Sequence, residues 1–134
     1  MIQRKLYTTI LFSFLLASCL FDSGSENVAG DYEVVWIDTY ESRALSKGEE
    51  IVSEYVYAVG YDSKYIYVKQ HPVNYNSNKR IDESITNYYI VEMTESAFQN
   101  KPVYGPLTKN GFDSLSNVLG IKDLDFDMTY PTNF

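Results

Sequence analysis

After residue 30 the chain alternates apolar and polar positions with a period of two, and it changes to a helical period only near its end. Residues 31–40, "DYEVVWIDTY", are dense in aromatic and β-branched side chains, which suit a pleated, half-buried surface and predict a first strand. Alternation sets Tyr32, Val34 and Trp36 on one face and Val35 and Ile37 on the other. The following "ESRALSKGEE" is expected to be a polar connection. Residues 51–61 predict a long strand with Tyr55, Tyr57, Val59 and Tyr61 on one side and Val52, Val56 and Ala58 on the other. A short polar turn at 62–64 and the returning "YIYVKQH" complete a hairpin.

Residues 72–80 form an Asn-rich loop, since Asn side chains bond to nearby backbone and favour turns. Residues 84–93 predict another strand. "KPVYGPLT" cannot continue as a helix, because proline lacks a donor and clashes with the preceding turn, so an extended connection is expected there. A helix is predicted from about Thr108 or Asn110, with Phe112, Leu115, Val118 and Leu119 as its apolar stripe and Gly120 ending it. Asn110 is the expected N-cap, which sets Asp113 in the first turn, where the helix dipole favours a carboxylate. "IKDLDF" is expected to add a short strand or tail. Three to five antiparallel strands with one late helix packed on one sheet face make an α+β fold.

The beginning of the chain has a different pattern. A basic start with Arg4 and Lys5 leads into an apolar run and then into small residues at Ala17 and Ser18, the zone order of a secretory leader. The run is about twelve residues, whereas spanning a bilayer takes about twenty. Leu16-Ala17-Ser18-Cys19 resembles the lipobox of bacterial lipoproteins. The resemblance implies that residues 1–18 are cut away, that the Cys19 thiol is linked to diacylglycerol, and that the new amino terminus is acylated as well. Several acyl chains hold a protein at a membrane where one holds only marginally. Residues 19–29 are then the lipidated cysteine and a Ser, Gly and Asn-bearing tether, and residues 30–134 the folded domain. The resemblance further implies the bacterial envelope: the outer membrane in a Gram-negative cell, or otherwise the outer face of the cell membrane.

Charge narrows the partner. The whole chain carries a formal −7, and removing Arg4 and Lys5 with the leader lowers it by two more, to −9. Nucleic acid is excluded as a partner, because its phosphates need a basic patch. Electrostatic steering favours a basic protein or peptide.

Candidate chemistry is sparse. His71 is the only histidine and Cys19 the only cysteine, so the nitrogen and sulfur ligands of a structural zinc site are missing, and no metal or other cofactor is expected. His71 precedes Pro72 at a predicted strand end and reads as a rim residue; no G-x-S-x-G elbow accompanies it. Asp123, Asp125 and Asp127 imitate the start of a calcium loop, but Met128 and Phe134 stand where that loop needs Gly and Glu. Those acids are expected in water, with Leu124 and Phe126 facing inward. Glu49 with Glu50, and Asp82 with Glu83, read as solvated neighbours and not as a converging pair.

Thirteen tyrosines are the unusual feature of the composition. Tyr55, Tyr57, Tyr61, Tyr65 and Tyr67 gather on the predicted hairpin. Such rings either fill a half-wet sheet face or form a recognition surface. Finally, "VYGPLTKNGFDSLSNVLGI" resembles a family of small bacterial lipoproteins and secreted proteins with an uncharacterised domain, on Gly105, Pro106, Leu107, Thr108 and Phe112. That resemblance implies no activity. The expectation is a non-catalytic, lipid-anchored binding or inhibitor-type module, against an envelope hydrolase or a structural lipoprotein as the alternatives.

Overall fold

A computed structural model describes residues 23–78, 80–95 and 102–131. Cys19 and the predicted leader lie outside the described residues. The strands are β1 (Ser23–Ala29), β2 (Tyr32–Ile37), β3 (Ala44–Lys47), β4 (Glu49–Val52), β5 (Val56–Tyr61), β6 (Tyr65–Gln70), β7 (Val73–Asn74), β8 (Arg80–Ile81), β9 (Asn87–Glu92), β10 (Val103–Leu107) and β11 (Met128–Thr129). One α-helix among the described residues, α1 (Lys109–Leu119), stands between β10 and β11. The fold is α+β, as the periodicity predicts, but the strands divide between two principal sheets. One has the order β1-β2-β3-β4, the other β10-β9-β6-β5-β11, and β7 pairs with β8 apart from both. Every pairing is antiparallel.

The sheets pack face to face. Val28, Tyr32, Val34, Leu45 and Val52 of the first meet Val56, Val59, Ile66, Val68 and Val91 of the second. The outer face of the five-stranded sheet carries Tyr65, Tyr67 and Ile90 beneath Phe112 of α1 and Ile121. The result is three layers, sheet on sheet on helix. Strand β6 lies in the middle layer and is covered on both faces, so its alternation runs apolar to aromatic and not apolar to polar. Each apolar side chain fully removed from water contributes roughly 1.5–3 kcal/mol, which makes these two cores the main source of stability.

Several sequence expectations change. Residues 23–29, expected in the tether, are strand β1, paired from Ser23↔Ile37 to Ala29↔Tyr32. As an edge strand with only Val28 buried, β1 is fixed by its ladder to β2, so its polar side chains look like linker. Gly24 is essential to that fit: a Cβ there would stand 2.4 Å from the Trp36 ring. Residues 41–50, expected as a connection, hold a short 3-10 turn at Tyr40–Ser42 and then the β3–β4 hairpin. Gly48, with φ +74, makes its turn. The predicted strand at 51–61 is two strands, because Ser53 to Tyr55 carry the chain from one sheet to the other. A bulge between Val56 and Ala58 then shifts the phase, so that Val56 and Val59 both enter the inter-sheet core. The buried Gln70 amide secures the crossing by donating to the Ser53 and Glu54 carbonyls at 3.0 and 3.2 Å.

"KPVYGPLT", expected as an extended connection, supplies the edge strand β10, where proline is tolerated. The helix begins at Lys109, with Thr108 as its N-cap, not Asn110: the Thr108 hydroxyl accepts from Gly111 N–H at 3.1 Å. Its buried side is Phe112, Leu115, Ser116 and Leu119, while Val118 is 81% exposed and stands outside the stripe. Gly120 closes the helix as expected, its N–H on the Asn117 carbonyl and that of Ile121 on the Ser116 carbonyl, a Schellman pair.

Candidate functional site

The five hairpin tyrosines do not share one surface. Tyr55, Tyr65 and Tyr67 are buried, Tyr57 is half-buried, and Tyr61 alone is exposed, at 47%. The bulge in β5 and the helix over β6 account for this. Tyr65 and Tyr67 lie in the core beneath α1, with Tyr67 edge-on to Phe126. The Tyr55 hydroxyl donates to the Pro131 carbonyl, and burial pushes its pKa up to about 12, with Arg43 acting in the opposite direction. Tyr57 stacks on His71 with ring centroids 4.0 Å apart and shares a hydrogen bond with the Thr86 hydroxyl at 3.0 Å. Burial raises the Tyr57 and Tyr67 phenols as well.

His71 is therefore not a rim residue: it is buried, and its Nδ1 lies 2.7 Å from the Ile85 carbonyl. Its hydrogen-bond partner is a backbone oxygen and not a serine or a carboxylate, so the arrangement lacks the nucleophile and orienting acid of a hydrolytic triad. Asp123, Asp125 and Asp127 are exposed while Leu124 and Phe126 pack beneath the helix. The Asp127 carboxyl is raised, because its protonated form donates a hydrogen bond to Asp125 and the neighbouring Asp125 charge disfavours its ionisation. Among the described residues no three His, Cys, Asp or Glu side chains gather to hold a metal. Glu49, Glu50, Asp82 and Glu83 are all exposed.

A concave site does form at one end of the sandwich. The β1–β2 turn, the β5–β6 turn and the segment after β9 enclose a cleft of about 500 Å³. Tyr32, Tyr61 and Met93 give it apolar surface, and Asp31, Asp62 and Glu95 add carboxylates. These three connections meet because antiparallel neighbours turn at the same end of their sheets. The wall between them is tied: Thr94 N–H donates to the Tyr32 hydroxyl at 3.1 Å, and the Lys47 ammonium donates to the Thr94 carbonyl from a position 5.0 Å over the Tyr32 ring. The Asp62 carboxylate shapes its own turn, accepting from the Lys64 and Tyr65 N–H groups at 2.7 Å each. Among the described residues, Lys64 is the one cation in the lining. Its pKa is raised, chiefly by its contact with Tyr65 and then by Glu92 and Asp62. Carboxylates at the mouth, a phenol face and a thioether suit a cationic group on an aliphatic stem.

The opposite end of the first sheet carries a second distinctive cluster. The buried Arg43 guanidinium lies 4.7 Å from the Trp36 ring, 4.7 Å from Tyr40 and 4.5 Å from Tyr130. It donates to the Tyr40 carbonyl at 3.3 Å, while its Nε, buried, meets no acceptor. Three aromatic faces thus stand where a carboxylate usually would.

A family model for proteins of unknown function, DUF3997, matches residues 26–130. The chain belongs to the DUF3997 family. The matched region of this DUF3997 chain includes Gly105 to Thr108 and α1, and it begins inside β1, in keeping with β1 being part of the domain. No curated protein and no solved structure matches the chain. Of the cleft, only Tyr61 is among the tyrosines singled out in the sequence. Asp31, Tyr32, Met93 and Glu95 come from turns whose meeting depends on strand order, which periodicity does not encode.

Proposed function

We propose that this is a lipid-anchored envelope protein whose domain is a non-catalytic binding module for a basic protein or peptide. The cleft at the Asp31, Asp62 and Glu95 end carries the reading: it joins apolar surface to carboxylates in a protein of net negative charge. The anchor is supported by the leader and by Leu16-Ala17-Ser18-Cys19, and it would hold the domain in the envelope, at the outer membrane of a Gram-negative cell or otherwise at the outer face of the cell membrane. With His71 committed to Tyr57 and the Ile85 carbonyl, recognition has more support than hydrolysis.

The test is photocrosslinking in the native cell, with a crosslinker at residue 61, followed by affinity measurement against the recovered partner. The double variant Asp31→Lys/Glu95→Lys is expected to weaken binding at least about tenfold and to flatten its salt dependence. Equal affinity for wild type and variant would remove the cleft from the reading. Activity against envelope material that is lost in His71→Ala but kept in the cleft variant would favour the hydrolase.

A further inference from the structure

The two ends of the β1–β2 hairpin differ in chemistry, and the chain direction fixes which of them faces the anchor. β1 starts at Ser23, four residues after Cys19, so a lipid on Cys19 lies within about 14 Å of the start of the sheet even if the intervening backbone is fully extended. Ser23 pairs with Ile37. Ile37 is 64% exposed, and Tyr40, in the 3-10 turn that follows, is 57% exposed. Both are large apolar side chains left in water at the point where the chain comes from the proposed anchor.

The backbone beneath them is held firmly. The Ser42 hydroxyl donates at 2.8 Å to the Ile37 or Thr39 carbonyl and accepts from Ile37 N–H at 2.7 Å. Arg43, enclosed by Trp36, Tyr40 and Tyr130, fills the space behind the turn. Trp and Tyr are the side chains that settle at the headgroup level of a bilayer, with rings among the acyl carbons and polar atoms toward water. Asp38 and Glu41 flank the pair, which suits the ammonium of a zwitterionic headgroup and disfavours an anionic surface.

We infer that the Ser23–Ile37 end of the four-stranded sheet, with Ile37 and Tyr40 foremost, seats on the surface of a zwitterionic phospholipid bilayer. The seat rests on the lipid-anchored reading for its proximity to the membrane. It gives the domain a fixed attitude: β1 runs about 20 Å away from the bilayer, and the cleft beside Gly30 and Asp31 opens at its far end, toward solution.

Trp36 is the single tryptophan of the chain and stands next to Ile37, so its fluorescence reports the seat. The full chain, made in a bacterial host, is weighed intact to read the state of Cys19 and reconstituted into phosphatidylcholine vesicles with acyl chains brominated near the headgroup. Acylation at Cys19 supports the anchor; an unmodified thiol overturns the lipoprotein reading. In the second case the same chain is coupled through Cys19, its only thiol, to a maleimide-bearing phospholipid, so that the seat is still decided. The expected result is a loss of about half or more of Trp36 emission relative to unbrominated vesicles. Ile37→Ser/Tyr40→Ser is expected to recover most of that emission with an unchanged circular dichroism spectrum, and Tyr61→Ser, at the far end, to recover none. Emission equal in brominated and plain vesicles would overturn the seat, as would quenching that survives the double substitution in a folded protein.

Discussion

Burying a phenol favours its protonated form, and the tyrosines of this domain make that effect measurable. Tyr55 titrates near 12 when folded, because burial disfavours the phenolate, and near the ordinary value of 10 once unfolded. Burial and the hydrogen bond to Glu26 push Tyr130 up too. Between those two pH values the folded state holds more protons than the unfolded state. The stabilisation is therefore complete below pH 10 and is lost as pH rises toward 12, each phenol adding a slope of at most about 1.4 kcal/mol per pH unit. Denaturant midpoints measured from pH 9 to 12 are expected to fall, and Tyr55→Phe to make the fall shallower. The helix cap is a second local test. Thr108→Ala removes the acceptor for Gly111 N–H and is expected to cost about 1 kcal/mol in urea unfolding, while Asn110→Ala, at a position that does not cap, leaves the midpoint nearly unchanged.

The elements explain why some of this architecture can be read along the chain and some cannot. Strands β2, β6 and β9 and helix α1 are legible, because each carries its own period and its own apolar face. β1 is not, because an edge strand with one buried residue draws its order from its neighbour. Gly24 exposes that dependence. Gly24→Leu drives a side chain into the Trp36 ring, and an expected loss of about 1–3 kcal/mol, with a shift in Trp36 emission on folding, would be absent from a flexible tether. The β3–β4 hairpin is concealed for a related reason: four-residue strands are too short to establish alternation, and Gly48 in a polar run is its only local mark. The division of residues 51–61 depends on sheet order, and the bulge after Val56 reverses which side chains face inward. That reversal, together with the second covered face of β6, distributes the hairpin tyrosines between core and surface. The cleft was the least legible feature, since its side chains come from three separate turns.

At the scale of the molecule, the proposed anchor and the proposed cleft are separable. Cys19→Ser is expected to move the protein from the membrane fraction to the soluble fraction while leaving the denaturant midpoint of the domain unchanged, as ultracentrifugation and unfolding together would report. The cleft substitutions should do the reverse, leaving fractionation intact. One further feature bears on how such a molecule comes into being. Strand β11 pairs along β5, Pro131 accepts from Tyr55, and the Tyr130 hydroxyl reaches Glu26 in β1 at 2.9 Å, across a separation of 104 residues. Contacts between such distant positions form late, after the intervening loop has closed. Were the proposed leader to thread the chain through a translocation pore, β1 could pair with β2 at once, while the open edge of β5 would wait for β11. Closure of that edge would be timed by the emergence of residues 128–131, whichever element folds first.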